Sequence, residues 1–340
     1  MRPGLNGSGG AALAATGLAA FSILAIVAPL ACYTVALAMF GLPHVLSELR
    51  YIDRRFSRRL DAHRLILLAG ILAAVVAIRV ATVFHFIPVG IGVPAELSGV
   101  AVLALASAGG PGSRKALALA VAATIGTATL LAPFGTATIL SIVHNLTPLG
   151  LLWQLLPGKQ RARATAWAAL PLLAMPLLLA TGLPRLALQW LGLSVSPADP
   201  LGAGPLADHL FVYVPAVLTG TAQAIDLFTA SVVAQGGHYV SVILILPMLL
   251  QQRDPDSAGL LAWPKGMGFA VLCATAGAVS LAVFLGGFAQ ARSLYGIAAS
   301  LHAWIEVPIL ILALTGGGQP VSHNPASSEP ALASSETSSA

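Results

Sequence analysis

Four histidines set in otherwise apolar stretches are the residues of this chain best suited to chemistry. They are His44 in Gly41-Leu42-Pro43-His44, His144 in Ser141-Ile142-Val143-His144, His238 in Gly236-Gly237-His238-Tyr239, and His302 in Ser300-Leu301-His302-Ala303. Two carry a carboxylate one helical turn later, Glu48 after His44 and Glu306 after His302. Ionisable groups at membrane depth are costly and usually face a bundle interior, where they serve a function. Neutral imidazoles gathered from four helices would make a nitrogen-rich metal site, with Glu48 and Glu306 orienting ligands or relaying protons.

The elements that must position these residues are membrane helices. Charged residues make up 9% of the 340 residues and hydrophobic ones 57%, and mean hydropathy is +0.87. A soluble domain carries roughly 25% charged residues. Backbone amides in lipid must be satisfied within their own segment, so the long apolar runs read as helices. The short alternating segments of a β-barrel are absent. The formal net charge of +5 comes from Arg and Lys in short loops, a topology signal that makes nucleic acid no expected partner. Cys32 and Cys273 lie inside apolar runs and read as small core residues.

The expected fold is an all-α polytopic bundle of about nine spanning helices over residues 1–315, with a disordered tail over 316–340. The spans are placed near 15–44, 65–83, 97–108, 116–131, 136–156, 165–179, 221–250, 268–284 and 295–314. A basic amphipathic stretch, Glu48 to Arg64, follows the first span, which has no convincing cleavage site and is read as retained. The stretch 181–220 holds Pro184, Pro197, Pro200, Pro205 and Pro215 and reads as an irregular loop region with short or re-entrant helices. Basic residues follow the odd-numbered spans: Arg50 to Arg64, Arg114-Lys115, Lys159 to Arg163, and Arg253. These loops share one side, which places the N-terminus outside and the C-terminus in the cytoplasm of a bacterial inner membrane.

Each site residue has a plainer alternative. Glu48 could pair with Arg50 or Arg54 at a helix end, His144 could be a satisfied core histidine, and His302 with Glu306 could simply tie helices together. His238 follows two glycines that permit close helix approach and precedes Tyr239, a candidate hydrogen-bond partner. His63 and His323 read as solvated, His85 as interfacial, and Asp208-His209 as a gate or a loop pair. Arg79 needs a partner or must snorkel, and Asp226 is a candidate partner; both read as structural.

At these motifs the chain resembles the Brp/Blh-like family of bacterial and archaeal membrane β-carotene 15,15′-dioxygenases. The resemblance lies in Gly41-Leu42-Pro43-His44 with Glu48, in Ile142-Val143-His144, in His238 on a later helix, and in His302 with Glu306 on the last span. It implies a helical bundle around an iron(II) held by His44, His144, His238 and His302, using O2 to cleave a polyene. The lipophilic substrate would enter from the membrane lipids. The chain differs in having Glu48 for an aspartate, Leu146, Thr147 and Pro148 where an acid follows the central histidine, and Val242 where a second histidine stands. The residues by themselves leave two other classes open: a transporter or permease using buried His and Glu for cation or proton coupling, and a haem-binding membrane protein.

Overall fold

The computed structural model describes residues 8–110, 112–253 and 258–315, and the tail expected to be disordered lies outside them. Among the described residues there is no strand. The chain forms α1 (Ser8–Val27), α2 (Pro29–Phe56), α3 (Ala62–Val83), α4 (Val89–Ala106), α5 (Gly112–Leu131), α6 (Pro133–His144) and α7 (Thr147–Leu155). It continues through α8 (Gly158–Ala180), α9 (Leu183–Trp190), α10 (Gln223–Arg253), α11 (Met267–Leu285) and α12 (Phe288–Leu314).

Eight of these helices are long and apolar enough to cross a membrane, and α6 with α7, bent by 41°, makes a ninth if the pair is one span. The protein is an integral membrane helix bundle, and each expected span has its helix. The first differs in its bounds. Pro29 lacks an N–H and starts a new helix after Ala28 leaves helical geometry (φ −136, ψ 64), so the first apolar run is split between α1 and α2. The amphipathic stretch then continues α2 to Phe56 without a break. This moves His44 from a helix end to mid-helix.

Burial separates an inner from an outer layer. The apolar windows of α2, α10 and α12 are 61%, 56% and 50% buried in protein, against 22–28% for α3, α5, α8 and α11, whose remaining faces meet lipid. The three inner helices carry His44, His238 and His302. Prolines shape them at membrane depth. Pro43 stands inside α2, and Pro308 inside α12. A π-helical turn over Ser241–Ile245 in α10 precedes Pro247, which cannot donate to the preceding turn.

Pro43 has a direct packing consequence. It leaves the Met39 carbonyl without its usual N–H partner. That carbonyl faces Gly277 of α11 so closely that a Cβ there would lie 2.7 Å from the oxygen. The absence of a side chain at Gly277 is what lets α11 pack against α2 at the level of His44. The glycines before His238 do similar work: a Cβ at Gly236 would meet Phe21 of α1, and one at Gly237 would meet Pro171 and Leu172 of α8.

Residues 181–220 form α9 and two short 3-10 turns, Leu206–Val212 and Ala216–Leu218, with irregular chain between. This matches the expected mixture of loop and short helices. Arg79 is paired, but with Glu96 of α4 at 2.9 Å; Asp226 instead takes Arg185 at 2.6 Å. Glu96 is 2% exposed and also accepts from Trp304 Nε1 at 2.7 Å, which ties α3 and α4 to α12.

Candidate metal centre

Three of the four histidines converge. Nε2 of His44 lies 2.9 Å from Nε2 of His302, which lies 3.2 Å from Nε2 of His144. One nitrogen from each falls within 4.8 Å of the other two. They come from α2, α6 and α12, elements far apart in the chain. His44 and His302 are 1% exposed. The end of α6 places His144: Pro148 cannot donate to the His144 carbonyl, so the helix stops there and restarts at Thr147 after the bend.

The remaining ring nitrogens fix the protonation pattern. Nδ1 of His44 lies 3.2 Å from the Phe40 carbonyl and Nδ1 of His302 lies 3.4 Å from the Ala298 carbonyl, each one turn back on its own helix. Nδ1 of His144 lies 2.5 Å from Glu306 Oε2. The two backbone carbonyls only accept, so Nδ1 of His44 and of His302 carries the proton and donates it. The neutral rings of His44 and His302 then present bare lone pairs at Nε2 atoms that lie 2.9 Å apart, with Nε2 of His144 beside them. Such an arrangement repels itself unless a cation sits between.

The carboxylates do not serve the histidines that precede them in sequence. Glu306, one turn after His302, reaches across to His144, and its other oxygen accepts from the Thr147 hydroxyl at 2.6 Å. Glu48, one turn after His44, faces His238, with Oε2 3.8 Å from Nε2. Nδ1 of His44 and of His302 is taken by the Phe40 and Ala298 carbonyls and Nε2 by the triad, so neither ring has a nitrogen left for the acid one turn on.

His238 stands beside the triad without joining it. Its ring centroid is 4.6 Å from that of His144 and 5.4 Å from that of His44. Neither of its ring nitrogens has a hydrogen bond of good geometry, and the fully buried Glu48 has the Glu306 carboxyl as its other neighbour. Tyr239, expected as a partner of His238, instead lays its ring against His44 at 4.4 Å and accepts from Gln235 Nε2 at 2.6 Å.

The triad looks into a cavity of about 910 Å³. Its lining includes Tyr33 and Leu37 of α2, Glu96 of α4, Phe134 and Ser141 of α6, and Tyr295 and Ala299 of α12, as well as Val212 to Ala216 of the irregular region. Apart from Ser141, the helical positions among these lie in the N-terminal halves of their helices. The cavity therefore runs from the triad to one end of the bundle, where the 3-10 turns cover it. Within this wall Arg79, Glu96, Trp304 and Arg292 were not expected to share a space with the histidines. A stripe at helical spacing on α12 could have revealed the last of these. His63 and His85 are remote from the triad; His85 is in the loop after α3 with a positive φ of 61°.

Compared with known protein families, with characterised proteins and with solved structures, the chain has no match. The reading of function therefore rests on the site itself.

Proposed function

We propose that the protein is a membrane-embedded metal-dependent oxygenase acting on a lipophilic substrate, with His44, His144 and His302 as ligands of a non-haem iron(II). The observation that carries this reading is the convergence of the Nε2 atoms of His44, His144 and His302 inside the helix bundle. Two nitrogens at adjacent positions around one ion, each with a bond of roughly 2.0–2.1 Å, lie about 3.0–3.4 Å apart, close to the separations here. An all-imidazole donor set suits iron, zinc, copper or nickel. The choice of iron and of O2 as co-substrate follows the resemblance to the Brp/Blh-like dioxygenases.

Bound there, iron(II) supplies the dioxygen chemistry that no side chain can. The chain's own residues do the rest. Glu306, held by Thr147, fixes the His144 ring and keeps its Nε2 free to ligate. Glu48 and His238 form a polar pair next to the triad, suited to exchanging a proton without entering the ligand set. The mostly apolar cavity admits a polyene, another isoprenoid or an acyl chain from the bilayer and excludes bulk water.

The lining reaches past the triad only as far as Asn145 and Trp304, less than one helical turn, which favours a blind substrate chamber over a through-going transport pathway. Nitrogens 2.9 Å and 3.2 Å apart leave no room for a haem between them. We place the basic loops in the cytoplasm of a bacterial inner membrane and the cavity mouth on the opposite side. The test is metal analysis of the purified protein and of its His44→Ala, His144→Ala and His302→Ala variants, with O2 uptake on lipid extracts as the second readout. The proposal expects about one iron per chain in the parent and loss in each variant. Metal content unchanged in all three overturns it.

A further inference from the structure

Two arginines line the cavity, and they differ in one respect. Arg79 is neutralised by Glu96 at 2.9 Å. Arg292 on α12 has no carboxylate within ion-pairing distance among the described residues. Its Nη1 donates to Nδ1 of His209 at 3.0 Å, and its guanidinium lies over the Phe211 ring at 5.2 Å, beside the Tyr33 phenol. His209 is itself 3% exposed and uses Nε2–H to donate to the Ala203 carbonyl at 3.0 Å. It is therefore neutral, and burial pulls its pKa below the usual imidazole range. The nearby acids are otherwise engaged: Asp199 accepts from the amides of Ala203 and Gly204 at 2.8 Å, and Asp208 is exposed to solvent.

Arg292 and His302 lie on one face of α12. The lining residues Arg292, Tyr295, Gly296, Ala299, His302 and Ala303 recur at helical spacing. Ten residues of helix separate Arg292 from His302, about 15 Å at 1.5 Å per residue. Gly296 and Ala299 keep the track between them clear, and a Cβ built on Gly296 meets nothing within 4 Å. A lone cation thus stands at one end of an apolar track whose other end is the triad.

We propose that Arg292 binds the carboxylate of a single-chain amphiphile whose hydrocarbon runs along α12 to the histidine triad. This deepens the oxygenase reading and rests on it for the chemistry, though not for the binding. A carboxylate matches the site because it brings one negative charge to one uncompensated cation and can accept two parallel N–H bonds from a guanidinium. A diphosphate head would need several cations, and a pure hydrocarbon such as a carotene would leave the half-buried Arg292 without a counter-ion in the cavity. The long-chain acid so placed is held at its head while a carbon well down its chain lies at the triad.

The experiment uses the full chain in lipid nanodiscs, with spin-labelled stearic acid as the probe and oleic acid, oleyl alcohol and an isoprenyl diphosphate as competitors. Oleic acid should displace the probe, the alcohol should do so at least about tenfold more weakly, and Arg292→Gln should remove that difference. Arg292→Lys should restore part of it. Gly296→Phe should block the track and abolish probe immobilisation while iron content stays at the parent level. Equal binding of acid and alcohol to the parent, unchanged binding of acid by Arg292→Gln, or tighter binding of the diphosphate than of oleic acid each overturns the proposal. Iron content measured on the same samples separates the two readings. Arg292-dependent acid binding to a protein without metal defeats the oxygenase, and an iron-loaded protein indifferent to Arg292 defeats the carboxylate site.

Discussion

At the scale of single residues, the chemistry depends on which nitrogen of each ring is free. Glu306 gives His144 its tautomer, so Glu306→Gln, which keeps the size and removes the charge, should lower metal affinity by about 10- to 100-fold. Titration of the apo-protein with iron(II) or zinc(II) measures this. His238 makes the complementary case. Its nitrogens lie outside the converging set, so His238→Ala should retain metal close to the parent stoichiometry while His302→Ala does not. Loss of metal in both variants to the same extent would make His238 a fourth ligand. Arg79 and Glu96 are a structural pair. Arg79→Leu strands a buried carboxylate and should cost about 3 kcal/mol in detergent-induced unfolding, while Arg79→Leu with Glu96→Leu should recover most of it.

At the scale of elements, the site depends on helices that proline has interrupted. Pro43 frees a carbonyl in α2, and Gly277 of α11 fits against it. Gly277→Val should push α11 away, with a loss of roughly 1–3 kcal/mol in stability, and should weaken metal binding through displacement of His44. A thermal unfolding series followed by metal analysis reads both effects. The same logic holds at the bend between α6 and α7. Pro148 ends α6 at His144, and the bend brings Thr147 next to Glu306, so one interruption supplies both a ligand and the group that steadies its neighbour.

At the scale of the whole molecule, three inner helices are wrapped by an outer layer that presents apolar faces to lipid, with the cavity between the triad and one end of the bundle. If the basic loops are cytoplasmic, cysteine placed at Val217 should react with a membrane-impermeant maleimide on intact cells. Cysteine at Arg58 should react only after permeabilisation. The background for this test lacks Cys32 and Cys273. Val217 is 86% exposed, so its failure to label from outside, with labelling of Arg58, reverses the orientation.

Much of this architecture is legible in the chain. A composition poor in charge forces membrane helices, because lipid offers no partner for an open backbone. Each expected span has a helix, and His44, His144, His238 and His302 stand out because an imidazole in an apolar run needs a reason. Other features were not legible. The break at Pro29 hides in a run that is apolar on both sides, so His44 read as a helix end. The spacing of each acid one turn after a histidine suggested a pair on one helix. The ring nitrogens of His44 and His302 are taken up elsewhere, however, and the acids bridge to His238 and His144 on other helices instead. Arg79 and Arg292 look alike in sequence, and only packing decides that Glu96 neutralises the first and nothing neutralises the second. Sequence alone determined that this is a helical membrane protein with histidines at depth, since hydropathy and the cost of a buried imidazole are local properties. Tertiary structure alone decided that three of those histidines turn their Nε2 nitrogens on one point beside a chamber, because convergence depends on how separate helices pack.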